Sequence, residues 1–421
     1  MKKTRLLNYM ISILVLLAFS AVSLSAEEII PAAYSSEELA KVRAWEKTWA
    51  GKTIDKTNID QVAEFMPESY AGIYKDPEKW GAPKGELITA TIVPYKRIIQ
   101  TKGFLEATKK YAPLVQTNSD GSIANYAEIA GFPYPNPKTG LEMAWNMDFN
   151  NHGDTEHFFR DGPNINPKQR TERRSTQEQW FALWVGRTEI EPKPAMLNNK
   201  KGVRRGTFVH MWEPPEFINT RFYNLRYLDP KKDDVTYLWY ANFRRVRRMS
   251  TAQRTDSIDG TDLVFDDEFF WDGHIQRNTY KYTGKKDLLC VRNQDMSKLT
   301  RPNGQGHGNG LMFERCNTLV VEAISKDPNY LYSKRIWYLD PETFIILWTD
   351  IYDQKGRFWK AFMQIMSNYK TLKGETTNNI AGSSFQDFQR AHSGYSTNDF
   401  KAVSLEISPK KFTITELRRT N

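Results

Sequence analysis

The stretch from 330 to 366 constrains this chain more than any other. Three apolar, aromatic and β-branched runs (330–339, 344–352 and 358–366) are separated by the tetrads Asp340-Pro341-Glu342-Thr343 and Asp353-Gln354-Lys355-Gly356. Pro presets φ and Gly accepts positive φ, so both tetrads suit tight turns. Parallel strands would need a crossover of about a dozen residues, so the spacing predicts an antiparallel meander. In the last run Trp359, Ala361, Met363 and Ile365 share one side of the pleat, and Phe358, Phe362 and Met366 share the other. A sheet wetted on one face alternates apolar with polar; this one asks for cover on both.

The beginning of the chain reads as an export signal over 1–26. Lys2, Lys3 and Arg5 precede an apolar run over 10–24, and Ser23-Leu24-Ser25-Ala26 offers small residues for cleavage. That run, about 15 residues, is shorter than the roughly 20 needed to span a bilayer. No Cys follows it to take a lipid anchor, so the expected location is the periplasm. The formal charge is +9, or about +6 without Lys2, Lys3 and Arg5. A basic chain with 13% aromatic residues could read nucleic acid, but export argues against that partner. Anionic lipid head groups or acidic glycans are the counterparts outside the cytoplasm. Cys290 and Cys316 are the only cysteines. A disulfide between them would close a loop of about 25 residues and stabilise by about 3 kcal/mol; two buried free thiols are the alternative.

Residues 27–115 read as a helical arm packed on the sheet. Ser35 and Glu38 form a capping box ahead of Leu39, Val42, Trp45 and Trp49. Asn58 and Gln61 repeat the device, and 105–111 offers a third helix. The sequence then runs Gly131-Phe132-Pro133-Tyr134-Pro135-Asn136-Pro137, an extended polyproline-like lead, before Gly140 opens a helical turn through Trp145. From 180 onward strands dominate, at 181–187, 204–211, 220–228, 236–249, 277–283, 288–291 and 319–323 before the meander, and at 385–388, 403–407 and 412–417 after it. With few helices between them, 116–421 is expected to form a mainly β (α+β) fold. Its core is a large curved antiparallel sheet or half-open β-barrel.

The chemistry-bearing residues are sparse. His152, Asp154, Glu156 and His157 match no zinc spacing, His307 sits in a Gly-rich run, and no nucleophile elbow or Cys–His pair occurs. No catalytic residue, metal or cofactor is therefore assigned, and a non-enzymatic protein is expected. The apolar residues Tyr237, Trp239, Phe243, Trp337, Phe344, Ile346, Trp348, Trp359, Met363 and Ile365 are the candidates to line a lipid site. Arg244, Arg245, Arg247 and Arg248 would hold an anionic head group bidentately, or else bridge to the acidic segment 259–273. In that segment Phe265, Phe269, Phe270 and Trp271 are candidates for a flap over a cavity or for insertion at a membrane interface; a solvated insertion is the alternative.

Four stretches occur in one order: Gly131–Asn146, the strand ending Arg244-Arg245-Val246-Arg247-Arg248, Gly260-Thr261-Asp262-Leu263 running to Asp272-Gly273, and Lys334-Arg335-Ile336-Trp337-Tyr338-Leu339-Asp340. Together they resemble the family catalogued as domain of unknown function 1329, the outer-membrane lipoprotein-sorting-like proteins, over roughly 50–420. The resemblance implies a half-open antiparallel barrel with helices on its concave side and acyl chains between them. It also implies association with a membrane exporter of the resistance-nodulation type or an outer-membrane partner. The expected function is carriage of a lipid or other hydrophobic cargo in the periplasm. A glycan-binding or glycan-cleaving β protein and a structural adaptor of an envelope complex are the rivals.

Overall fold

The computed structural model describes residues 29–419 except 81, 83, 151, 167, 169, 250–253, 259–260 and 301–307. The expected export signal and His307 lie outside the described residues. Fifteen strands make one sheet: β1 Thr53–Ile54, β2 Ala90–Ile92, β3 Thr155–Ile165, β4 Thr171–Leu183, β5 Val203–Glu213, β6 Arg221–Tyr227, β7 Val235–Tyr240, β8 Arg245–Met249, β9 Asn278–Cys290, β10 Leu311–Ser325, β11 Tyr332–Leu339, β12 Ile346–Asp353, β13 Phe358–Lys370, β14 Thr376–Asp387 and β15 His392–Val403. The pairing runs β10-β11-β12-β13-β14-β15-β3-β4-β5-β6-β7-β8, with β9 along the outer side of β10 and β1-β2 extending its first residues. Every pair is antiparallel except β2 with β10. The fold is mainly β, a large curved sheet left open between β8 and β9, with helices present.

The meander forms as β11-β12-β13, and both its faces are covered. On the convex face Trp348, Met363 and Ile365 pack against Trp49, Ile59, Tyr70 and Tyr74, from α1 (Ser36–Trp49), α2 (Glu68–Lys75) and the turns between them. On the concave face Trp337, Phe344, Ile346 and Phe362 pack against Phe104, Phe132, Trp145 and Phe270, from α3 (Lys102–Tyr111), the Gly131 stretch, α4 (Gly140–Phe149) and the segment before β9. The arm read from the sequence is therefore split: α1 and α2 lie on one side of the sheet and α3 on the other.

Bulges reassign some side chains. Tyr352 pairs with Phe358 and Ile351 with Lys360, and a second shift falls between Ile365 and Met366. The extra residue Trp359 on β13 reverses the alternation beyond it, so Phe358 joins the convex cluster while Trp359 turns to the concave side; Met366, at the second shift, also lies in the convex cluster. The strand expected over 236–249 is instead a hairpin, broken at Ala241–Phe243 with Arg244 at φ +48°. Asn58 does not cap a helix; its side chain accepts from Asp55 N, and two short 3₁₀ turns, Ile59–Gln61 and Ala63–Phe65, follow. The last expected strand, 412–417, is replaced by the short helix α5 (Ile414–Leu417).

Cys290 and Cys316 are buried free thiols rather than a disulfide. Cys316 pairs with Leu288 and Cys290 with Glu314, so they are diagonal neighbours on adjacent strands. The two thiols lie within hydrogen-bonding reach of each other without being joined.

The idiosyncratic Gly131 stretch has a packing reason. At φ +75° a Cβ on Gly131 would fall 2.4 Å from the backbone nitrogen of Thr108, so only glycine lets this segment lie against α3. The Thr139–Glu142 capping box then starts α4.

Candidate ligand-binding site

On the concave side β3 to β7 turn alternate residues inward. The inward sets are Phe158, Arg160, Gly162 and Asn164 on β3, Arg173, Ser175, Gln177, Gln179 and Phe181 on β4, Arg205, Thr207 and Val209 on β5, and Phe222, Asn224 and Arg226 on β6. With Gln364, Phe385 and Ser396 from the facing strands they enclose a cavity of about 260 Å³. The segment 261–273 closes it, presenting Leu263, Phe265, Phe269 and Phe270 to the interior. A smaller space of about 70 Å³ lies behind Phe269 and Trp271, beside His152 and Glu156.

Ion pairs hold this cover on the sheet. Arg160 donates both terminal nitrogens to Glu268, at 3.0 and 2.7 Å, and Arg226 donates to both oxygens of Asp272 at 3.0 Å. Arg205 pairs with Asp272 as well, and Arg254 bridges Asp266 and Asp234. Deeper in, Asp267 is paired with Arg335 at 2.7 Å and accepts from the Tyr332 hydroxyl. Burial pulls the Arg226 guanidinium down to about 10 against the opposing effect of Asp234. Burial alone would raise Asp234, but Arg226, Arg254 and Arg205 hold it well below the usual carboxylate range. Phe269 and Phe270 adopt φ of +53° and +69°. Bulky side chains pay for such backbone in strain, and the surrounding ion pairs fix it.

His392 ties the cover to β15, with Nδ1 on Asp262 and Nε2 at 3.0 Å from Glu172. The hydrogen bond to Asp262, opposed by burial and aided by Glu172, raises its pKa to about 9. A folded value above the ordinary 6.5 gives stability that is full below pH 6.5 and is lost as pH rises through 9. Burial raises Glu156 to about 7, opposed by its bond to Asn379, so ionising it also costs stability as pH rises from 4.5 to 7. His152, His274 and His210, held below the ordinary value by burial, act the other way up to pH 6.5, so the unfolding midpoint is expected to fall between pH 6.5 and pH 9. His392→Gln should flatten the part above pH 6.5, and an unaltered slope there would exclude the histidine as its source.

The sequence-derived site residues separate on the structure. Phe265, Phe269 and Phe270 line the cavity and Trp271 the smaller space. None of the ten lipid-site candidates lines the larger space. Trp348, Met363 and Ile365 are filled in by the arm, and Trp337 packs on Trp271 and Tyr280 while Phe344 packs on Phe132. Ile346 borders only the smaller space, and Trp359 leans on Tyr332. Tyr237 and Trp239 face away, into a cluster with Tyr223, Trp184 and Phe412, and Phe243 stands exposed at a hairpin tip. Arg244, Arg245, Arg247 and Arg248 lie on the exposed edge hairpin, and among the described residues none of them bridges to an acid of 261–272.

The arginines that do reach the cavity are Arg160, Arg173, Arg205, Arg226 and Arg254. Alternation along Phe222-Tyr223-Asn224-Leu225-Arg226 carries that signal, a polar set every second residue, once the inward face is known. The His152–His157 cluster disperses. Asp154 accepts from the backbone of Thr188, Glu189 and Ile190, and His157 meets Glu178 at 2.7 Å. Among the described residues no group of three or more His, Cys, Asp or Glu could hold a metal ion.

A family model described as a protein of unknown function (DUF1329) matches residues 53–418. The chain belongs to that family. As a DUF1329 protein it is 24% identical over 329 residues to an uncharacterized protein of Pseudomonas aeruginosa, covering 73% of this chain and 67% of that one. Among solved structures it is similar to a DUF1329 family protein from Desulfovibrio piger (13% identity, TM-score 0.48, 66% of this chain and 97% of that one). It is also similar to a LolA superfamily protein from Nitrosomonas europaea (13% identity, TM-score 0.38, 66% of this chain and all of that one, 100%). The DUF1329 match takes in the whole sheet and the 261–273 cover. Among the described residues no helix is long and apolar enough to cross a membrane.

Proposed function

We propose that the protein binds an uncharged amphiphile with an alkyl chain between its concave sheet and the 261–273 cover, without catalysis, and carries it in the periplasm for exchange with a membrane partner. The observation that carries this reading is the cavity wall: polar and charged side chains are numerous in it, but the surface it exposes is mainly apolar, with seven phenylalanines in the lining. A mainly apolar surface is usual for a small-ligand site. A dry cavity of about 150 Å³ already accepts benzene, so about 260 Å³ admits an alkyl segment. Six methylenes buried there contribute about 5 kcal/mol.

Charge selects the head. Five arginines and five carboxylates (Asp234, Asp262, Asp267, Glu268 and Asp272) line the space. Each of those arginines is engaged by a carboxylate, Arg173 by Glu216. An anionic head group would have to displace one of these pairs. A hydroxyl or amide head would instead meet Ser, Thr, Asn and Gln side chains. It could also donate to the Gln364 carbonyl oxygen, which is buried without a donor among the described residues. Enclosed aromatics rather than exposed flat rows favour this reading over a glycan site.

Organic extraction of the purified protein followed by mass spectrometry should recover a neutral acyl lipid. A fluorescent monoacylglycerol probe should bind at least tenfold more tightly than the matching free fatty acid. No extracted lipid and no probe binding would remove the carrier reading, and tighter binding of the fatty acid would remove the charge argument.

A further inference from the structure

One surface combines charge and exposed apolar side chains and takes no part in the cavity. The β7–β8 hairpin is the open edge of the sheet, and Phe243 at its tip is 72% exposed. The neighbouring β5–β6 turn carries Ile218, 46% exposed. Arg221 at the start of β6 stands opposite Trp239 near the end of β7, which sets the two turns side by side. The β3–β4 turn, with exposed Lys168 and Arg170, reaches the same end, because Thr176 of β4 pairs with Glu213 at the end of β5. Arg244, Arg245 and Arg247 are exposed around Phe243. The nearby acids Glu213 and Glu216 are already engaged by Arg174 and Arg173.

We propose that this end of the sheet docks on an anionic bilayer surface, Phe243 and Ile218 entering the interface and the surrounding cations meeting phosphate head groups. Single apolar side chains at two adjacent turns bury little against a protein. Along one rim, ringed by cations, they match a plane that is greasy below and negatively charged above. Long cationic side chains reach head groups while their stems lie against the apolar layer. An acidic protein partner would use the same charges but would leave the two apolar tips without a purpose.

Sedimentation of the full chain with vesicles of phosphatidylcholine, or of equimolar phosphatidylcholine and phosphatidylglycerol, tests this directly. The protein should sediment with the mixed vesicles only, and less so as salt is raised. The triple variant R244Q/R245Q/R247Q should partition roughly a hundredfold less, about fivefold per arginine. Phe243→Ser should weaken binding by about tenfold with every charge kept. These are surface positions, and unchanged circular dichroism would show that both variants fold. Three results would each overturn the proposal: no sedimentation of the wild type, equal sedimentation with neutral vesicles, or a triple variant that binds like the wild type. The cavity plays no part in this measurement, so its outcome stands apart from that of the ligand extraction.

Discussion

Arg292→Ala is expected to lower the free energy of unfolding by about 3–5 kcal/mol, the loss typical of breaking a buried ion pair from one side. Arg292 is fully buried and donates to Asp340 and Glu342, both at 2.6 Å, with Glu314 at 3.3 Å. Without the guanidinium those carboxylates would share a site away from water with only Arg97, 4.0 Å from Glu342, as a counter-charge among the described residues. The same carboxylates hold the arm. Glu342 accepts from the backbone of Ala33 at 3.2 Å and Ile98 at 2.8 Å, and Glu314 accepts from Lys96 at 2.9 Å. Urea unfolding would give the energy, and limited proteolysis should cut within the arm before the sheet. A loss under about 1 kcal/mol would show that the cluster is not holding the layers together.

Thr207→Trp is expected to abolish binding of the neutral acyl probe, at least a hundredfold, with little change in stability. Thr207 points into the cavity from β5, where an indole fills space that is already open, so the usual 1–3 kcal/mol of overpacking is not incurred. Trp337→Ala should behave in the opposite way. Its side chain is wholly buried between Trp271 and Tyr280, so truncation should cost about 3–5 kcal/mol and leave probe affinity nearly unchanged. Equal affinity of Thr207→Trp and the wild type would place the ligand elsewhere.

The contrast between those two variants also measures what could be read from the chain. The meander was legible because its turns are written in Asp-Pro and Lys-Gly and its runs are apolar on both faces. The presence of cover on each side followed from the same pattern. What covers each face did not, since nothing local tells α3 from α2. Greasy strands pointed to Trp348 and Met363, yet density of apolar residues marks where a protein is packed solid, not where it is empty. The emptier wall lies on β3 to β6, whose inward sets mix Phe with Gln, Ser and Arg and so look half-exposed in sequence. The acidic aromatic segment was readable as a cover, while its partners were not. Arg160, Arg226 and Arg335 come from three distant strands, and the nearer run of arginines at 244–248 was the more obvious choice. A single Asn-Phe-Arg turn, invisible as alternation, carried that run out to the edge.

The contacts made by Glu342 reach back 244 residues to Ile98 and 309 residues to Ala33. A chain made from its N-terminus therefore completes α1 and α2 long before the carboxylate that receives them exists. Until then Tyr70, Tyr74 and Trp80 have no sheet to lie against, and segments of this kind are where partly folded chains stick to one another. Docking of the arm is then a closing step, dependent on the meander being in place.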